Sequence, residues 1–487
     1  MMVLGGLTAA LLAAAGTASG SLSQLHDYHV HIDERLSQLS VEACFDGRVP
    51  DLLYASHNWA GNVLEQAEMV VDGKTRRLRP DERQRLRIRQ QPDDGCIRYQ
   101  VDLGRAARSR NLGIAARAGE ALVISPRIWL WQPRRLSPYQ DIELHFELDG
   151  ELQLSGPWRG LSEAGDDNPA RFALGYPPLG WDASMVVGEF DQLQIERAGT
   201  RLGVAITSGP GEAADPTLSH DWLEAGLEAA TTIYGRLPTD RVQAVIIPLD
   251  SGDRPLSSGR VSRAGGPGLL LGMKAGFPDS AYRPDPLMAH EFMHLLHPPV
   301  QREHAWLSEG IATYYQYIGL ARAGHLSAES AWQRFLDDMD DGIWARIPGT
   351  ILDITRAMGQ EGGAEFVYWS GAALMLKADV ALRSDPDTAE SLDHVLAEWA
   401  ACCFDARRSA DGREALKELD RIAGTDDLFT AFYDDYILAV GFPDIAEILE
   451  QLGLPQPGKS FELDDEAPLA PLRRAIMTPH EAPLIDH

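Results

Sequence analysis

The strongest constraint on the fold is a change of hydrophobic period partway along the chain. From about Leu22 to Ser208, apolar residues alternate with polar ones. A period of two belongs to strands with one buried face. Ile142, Leu144, Phe146 and Leu148 form one such run. Asp149-Gly150 then offers a turn, and Leu152 and Leu154 resume the alternation, which predicts a hairpin. Leu193 and Ile195, then Leu202, Val204 and Ile206, repeat the pattern around Gly199. The expectation is an N-terminal β-sandwich-like domain over residues 22–208. From Ser219 the period becomes helical, with Leu223, Leu227, Ala230 and Ile233 on one face. Val242 to Ile247 reads as a buried strand. From Pro286 onward the pattern is mostly helical, with helices expected around 306–323, 328–340, 366–383, 391–401 and 443–452. After Leu454, the run with Pro455, Pro457, Pro468, Pro471, Pro479 and Pro483 reads as a peripheral tail over 456–487. A chain of 487 residues has room for two or three such domains.

Charge narrows the partners. The formal net charge is -28, which argues against nucleic acid, since phosphate binding needs a basic surface. Arg85, Arg87 and Arg89 alternate with Leu86 and Ile88; a solvated strand face explains them better than an anion site. Met1 to Gly20 carry no charge, Val3 to Ala15 are mostly apolar, and Ala18-Ser19-Gly20 offers a small-residue cleavage site. This fits a signal peptide over residues 1–20 and a periplasmic or secreted protein, without the usual basic start. The other reading is an uncleaved anchor, for which the run is short. No later segment is apolar enough to span a bilayer. In an oxidising compartment Cys44 and Cys96 could bridge. Cys402 and Cys403, being adjacent, do not readily share one helix-face role, and buried free thiols weigh at least equally for them.

Chemistry concentrates in one short stretch. In Ala289-His290-Glu291-Phe292-Met293-His294, the histidines stand four apart, on one face of a helix. Asp285 can N-cap that helix and Pro286 suits its first position. Pro298 and Pro299 end it. Ala305-Trp306-Leu307-Ser308-Glu309-Gly310 then places an acid on a second helix. His290, His294 and Glu309 together suit one zinc ion with an open position for water. Glu291, beside them, can reach that water without ligating and act as general base. His297, His304 and His325 read as loop or surface histidines, and Trp306 as a packing residue. No Gly-x-Ser-x-Gly elbow supports a serine hydrolase.

These residues resemble the gluzincin metallopeptidases, and within them the glycyl aminopeptidase family, relatives of the leukotriene-hydrolase type aminopeptidases. Ser308-Glu309-Gly310-Ile311-Ala312-Thr313-Tyr314-Tyr315, Tyr368-Trp369-Ser370-Gly371-Ala372-Ala373-Leu374, Ala378-Asp379-Val380-Ala381-Leu382-Arg383 and Ser391-Leu392-Asp393 carry the resemblance. It covers roughly residues 120–455. It implies a multidomain α+β fold, with a thermolysin-like catalytic domain over 209–345 and a helical C-terminal domain over 346–455. It implies His290, His294 and Glu309 as zinc ligands, Glu291 as base and a tyrosine that stabilises an oxyanion. Tyr368 is the candidate, three residues before Gly371. It also implies substrate contacts from the glycine-rich strand, at Gly266, Gly268 and Leu269, where an exposed edge would pair with a peptide backbone.

Three departures from the family stand out. The segment between His294 and Glu309 is short. Ser370 replaces a lysine. The glycine-rich strand carries no acid to hold a free amine. The chain also leaves no room for the PDZ domain that many members carry. Two functions follow. One is zinc-dependent, aminopeptidase-like peptide hydrolysis. The other is a non-catalytic zinc-containing module that binds a peptide or partner on the same fold.

Overall fold

A computed structural model describes residues 24–485 except 90, 94, 134–139, 162–169, 176–182, 213–214, 264–265 and 404–408. The expected signal peptide lies outside the described residues. Among those described, no helix is long and apolar enough to cross a membrane.

The period-two region builds three sheets. The largest has eight strands, ordered Arg159–Gly160, Arg171–Gly175, Gln140–Leu148, Gln24–Ile32, Gln38–Phe45, Gly95–Asp102, Leu64–Val71 and Lys74–Arg77. Gln24–Ile32 and Gln140–Leu148 run parallel at its centre, and the other pairs are antiparallel. A four-stranded sheet (Gln153–Ser155, Met185–Gly188, Ala121–Ile124, Ala115–Ala118) and a three-stranded one accompany it. Tyr28, Val41, Ile97, Leu144, Trp129 and Trp131 fill one shared core.

The hairpin expected at Asp149-Gly150 does not form. Gln140–Leu148 pairs within the eight-stranded sheet, whereas Gln153–Ser155 pairs with Met185–Gly188 in another. Alternation and a turn fix local shape, but not which partner a strand finds. Cys44 and Cys96 stand opposite each other on neighbouring strands and form a disulfide, the pairing the sequence left open. Arg85 pairs with Asp81 while Leu86 and Ile88 are buried, as a solvated strand face requires.

The expected domain boundary at 208 falls too late. Asp191–Arg197 and Thr200–Ile206 do form a hairpin, but Thr200–Ile206 pairs in parallel with Arg241–Pro248. Both strands therefore belong to a second, five-stranded sheet, ordered Asp191–Arg197, Thr200–Ile206, Arg241–Pro248, Gly268–Met273, Leu256–Ser262. The helix Pro216–Tyr234 packs on this sheet, capped by Asp215 and ended by Gly235 at φ 80°. Ala118, Ala121, Val123 and Val186 of the four-stranded sheet meet Ala205, Val245 and Ile247 of the five-stranded one, so an apolar layer joins the two regions.

From Pro286 the five expected helices appear as Ala305–Arg322, Ala328–Trp344, Ala364–Ser384, Leu392–Cys403 and Ala446–Leu452, and two that were not expected, Ile351–Glu361 and Gly412–Ala423, stand between them. One continuous core runs from Ile195 to Met477, so the helices after 346 pack in the same body as the five-stranded sheet and the helix Pro286–Met293. The proline-rich end is anchored rather than peripheral. Ala470–Ile476 is helical, Arg473 and Ile476 are buried, and Leu484 N donates to Tyr234 O. Cys402 and Cys403 bond to each other at the end of their helix, on a partly exposed last turn and not in the core, so neither is a buried thiol.

Candidate metal centre and cleft

Asp285 accepts from Leu287 N and starts the helix Pro286–Met293. His294 lies just past it, opening a tight turn over His294–Leu296. Prolines 298 and 299 stop any continuation. The strand-like segment after them is pinned by Ala410, which donates to Pro299 O and accepts from Gln301 N. That bridging permits the short inter-helix segment and returns the chain to the helix Ala305–Arg322 with Glu309 near its start.

The three expected ligands converge. Glu309 Oε2 lies 3.2 Å from His290 Nε2 and 3.4 Å from His294 Nε2. One ligand atom from each lies within 4.8 Å of the others. This donor set, two imidazoles and a carboxylate, suits zinc and leaves a fourth position open. Both ring orientations are fixed from behind. His290 Nδ1 faces Gln316 Oε1 at 3.2 Å, an acceptor, so Nδ1 carries the proton and Nε2 is free to bind a metal.

His294 is held by a longer chain. His297 Nδ1 faces the Pro298 carbonyl at 2.8 Å, and a carbonyl only accepts. His297 therefore carries its proton on Nδ1, and its Nε2 accepts from the Ser308 hydroxyl at 3.4 Å. Ser308 Oγ in turn accepts from His294 Nδ1–H at 3.2 Å, which leaves His294 Nε2 unprotonated towards the centre. Burial, against the opposing pull of Glu309, lowers His294 to about 4, and burial also holds His297 well below its usual value. Both are neutral imidazoles near pH 7. Burial would raise Glu309, but the two histidines outweigh it and hold the carboxyl well below the usual range.

Glu291 faces the same cleft. Burial lifts its carboxyl to about 7; His290 and Arg263 act against the rise and Glu309 with it. The strand Leu256–Ser262 lies against it. A Cβ on Gly259 would fall 2.1 Å from Glu291 Oε1, so only glycine leaves the carboxylate its place. Tyr368 stacks on His290 with ring centroids 5.8 Å apart. Burial, Glu309 and Glu291 all push its phenol up, so it remains a proton donor. Its helix, Ala364–Ser384, comes close to the Glu309 helix through two glycines. A Cβ on Gly310 would lie 2.6 Å from Gly371 backbone, and one on Gly371 would lie 2.4 Å from Trp306 O. His290, Glu291, His294, Glu309, Gly259 and Tyr368 line a cleft of about 1010 Å³.

Gly266, Gly268 and Leu269 are not part of it. Gly268 and Leu269 belong to Gly268–Met273, which has a partner strand on each side, and Leu269 is 2% exposed. A Cβ on Gly266 would strike the Pro157 backbone. The sheet edge beside the cleft is Leu256–Ser262, whose Gly259 and Val261 line it. A glycine-rich string marked the wrong strand, because composition does not tell an edge from an interior strand. The lone Gly259 within a strand was the available signal. His297, expected in a loop or on the surface, is 0% exposed; its position three residues after His294 was the signal missed. His304 is buried near Asp411, and His325 meets Glu228. Trp306 packs in the core as expected.

No family model matches the sequence, and no curated protein matches it. Solved structures do. The chain is similar to an aminopeptidase N family protein from Idiomarina loihiensis, at 15% identity and TM-score 0.68, over 91% of this chain and 82% of that one. It is also similar to an M1 zinc metallopeptidase from Deinococcus radiodurans, solved as a mutant bound to a Tyr-Ser-Ala substrate. That match has 14% identity and TM-score 0.53, over 87% of this chain and 96% of that one. A further structure of an M1 zinc metallopeptidase from Deinococcus radiodurans matches at 13% identity and TM-score 0.51, over 90% of this chain and 96% of that one. At these identities the likeness is one of fold: a multidomain α+β metallopeptidase architecture.

Proposed function

We propose that this chain is a zinc-dependent peptidase with His290, His294 and Glu309 as ligands to one ion, Glu291 as general base and Tyr368 as oxyanion donor. The observation that carries the proposal is the convergence of two imidazoles and a carboxylate beside a buried glutamate. Zinc bound there would supply Lewis-acid activation of a water and of the scissile carbonyl.

Glu291, lifted towards neutrality, takes the proton of the attacking water and passes it to the departing amine. Tyr368 donates its phenolic proton to the oxygen that gains negative charge. A peptide laid along Leu256–Ser262 would add a strand to the exposed edge and bring its carbonyl over Glu291. A module that only holds a peptide has no use for a carboxyl poised near neutrality, which favours catalysis over the binding-module reading.

The disulfide Cys44–Cys96 and the apolar N-terminal sequence support a periplasmic or secreted location. The test is a mixed peptide library incubated with zinc-loaded and chelated protein, with products read by mass. Cleavage only with zinc supports the proposal, and the product ends separate trimming from internal cutting. A library left intact under both conditions counts against it.

A further inference from the structure

Aminopeptidase chemistry needs an anion to hold the substrate's free amine. The cleft edge offers none: Leu256-Ser257-Ser258-Gly259-Arg260-Val261-Ser262 contains no carboxylate. The residue that follows is a cation. Arg263 lines the cleft beside His290, Glu291, His294 and Glu309. Its Nη1 donates to His294 O at 2.6 Å. Its Nε is buried without a hydrogen-bond partner, and among the described residues the guanidinium makes no ion pair. A guanidinium has five N–H donors in a planar fork suited to a carboxylate. One short bond to a carbonyl leaves most of that capacity unused.

Charge points the same way. The carboxylates nearest Arg263 are Glu291 and Glu309, and a divalent ion in place would draw both towards itself and leave the guanidinium without a counter-charge. A substrate ammonium would meet an uncompensated positive centre, whereas a carboxylate would neutralise it. The acids that line the cleft, Asp338, Asp341 and Glu365, stand on the helices Ala328–Trp344 and Ala364–Ser384 and not on the strand edge. Asp285, also at the cleft, is engaged by Trp222 and its own helix.

We infer that Arg263 binds a substrate carboxylate, so that the cleft selects peptides presenting an anionic group beside the scissile bond, with no requirement for a free N-terminal amine. This rests on the zinc-peptidase reading above. The carboxylate is either a peptide C-terminus or an Asp or Glu side chain, and the test separates them.

The experiment measures peptide binding by calorimetry to the zinc-loaded Glu291→Gln protein. The probes are neutral tripeptides with a free or amidated C-terminus, amidated tripeptides bearing Glu or Gln, and N-acetylated forms of each. One carboxylate position should bind about tenfold or more tighter than its neutral match, as a charge-assisted hydrogen bond gives. N-acetylation should leave binding within about twofold. Adding Arg263→Gln should remove the preference without changing zinc content. Arg263→Lys should keep part of it, because the charge stays and the fork is lost.

Equal affinity for acid and amide, a preference that survives Arg263→Gln, or binding abolished by N-acetylation would each overturn the inference. Should Arg263→Gln fail to fold, the acid–amide comparison and Arg263→Lys decide it. Selective binding by a wild-type protein that never cleaves would sink the peptidase reading alone. Cleavage without anion preference would sink only this inference.

Discussion

At the scale of single residues, the centre depends on protons placed by neighbours that are not themselves ligands. Pro298's carbonyl orients His297, His297 orients Ser308, and Ser308 fixes His294 with Nε2 free. His297→Phe breaks that chain, lets Ser308 donate to His294 and removes the bias towards the metal-binding tautomer. Zinc affinity, measured by competition with a chelator, should fall about 10–100-fold, the usual cost of losing such a partner. An unchanged affinity would show that the chain does not set the tautomer. Gly259 makes a second prediction. Gly259→Ala would drive Glu291 from its place, since the added carbon meets Oε1 at 2.1 Å and Cδ at 2.2 Å. Steady-state kinetics should show kcat lowered about 100-fold, the scale of a 1 Å misplacement, with zinc content retained. His290 and His294 were legible in the sequence because spacing along a helix puts them on one face, and Glu291 and Glu309 because one adjoins that pair and the other opens the next helix. Arg263 was not, because nothing local distinguishes an edge strand from an interior one, and Gly259 left only the mark of a lone glycine within a strand.

At the scale of elements, several stretches that carried the family resemblance are fasteners. Tyr314 and Tyr315 on the Glu309 helix donate to Asp379 and Asp393 at 2.8 Å and 2.7 Å. Arg322 reaches Asp393 at 2.9 Å, Arg383 reaches Asp379 at 2.9 Å, and His480 reaches Asp393 at 2.7 Å. Three helices and the C-terminal segment are thereby tied around a carboxylate that is 0% exposed. Burial would raise Asp393, but Arg322, His480, Arg383 and Tyr315 hold it well below the usual carboxylate range. Its folded pKa is thus depressed. Its contribution is full above the unfolded value of about 3.9 and fades as the pH falls below that. Asp393→Asn leaves two arginines short of a counter-charge and should cost about 3–5 kcal/mol, measured by urea unfolding at pH 7. The difference from wild type should shrink as the pH drops below about 4. A loss under 1 kcal/mol, or one independent of pH, would contradict this. Helix positions were largely readable from periodicity. The role of Asp379 and Asp393 was not, since pairing between distant charges leaves no periodic trace.

At the scale of the whole molecule, two period-two regions answer to two different cores. Strands up to Met185–Gly188 close the N-terminal body, while Asp191–Ile206, identical in pattern, joins the five-stranded sheet that carries the cleft. Alternation reveals strands and their buried faces. Sheet membership is settled by long-range pairing, which explains both the misplaced boundary at 208 and the lost hairpin at Asp149-Gly150. The same tertiary packing anchors a proline-rich end that looked detached. In the proposed function catalysis falls where the strand edge, the histidine helix and the tyrosine helix meet, with Glu291 moving the proton while the ligands hold the metal. The most direct measurement compares wild type with Glu291→Gln, recording bound zinc and peptide turnover on the same samples. About one zinc per chain in both, with turnover reduced at least ~100-fold in the variant, is the predicted result. Equal turnover in the two proteins, with zinc bound in each, would contradict it.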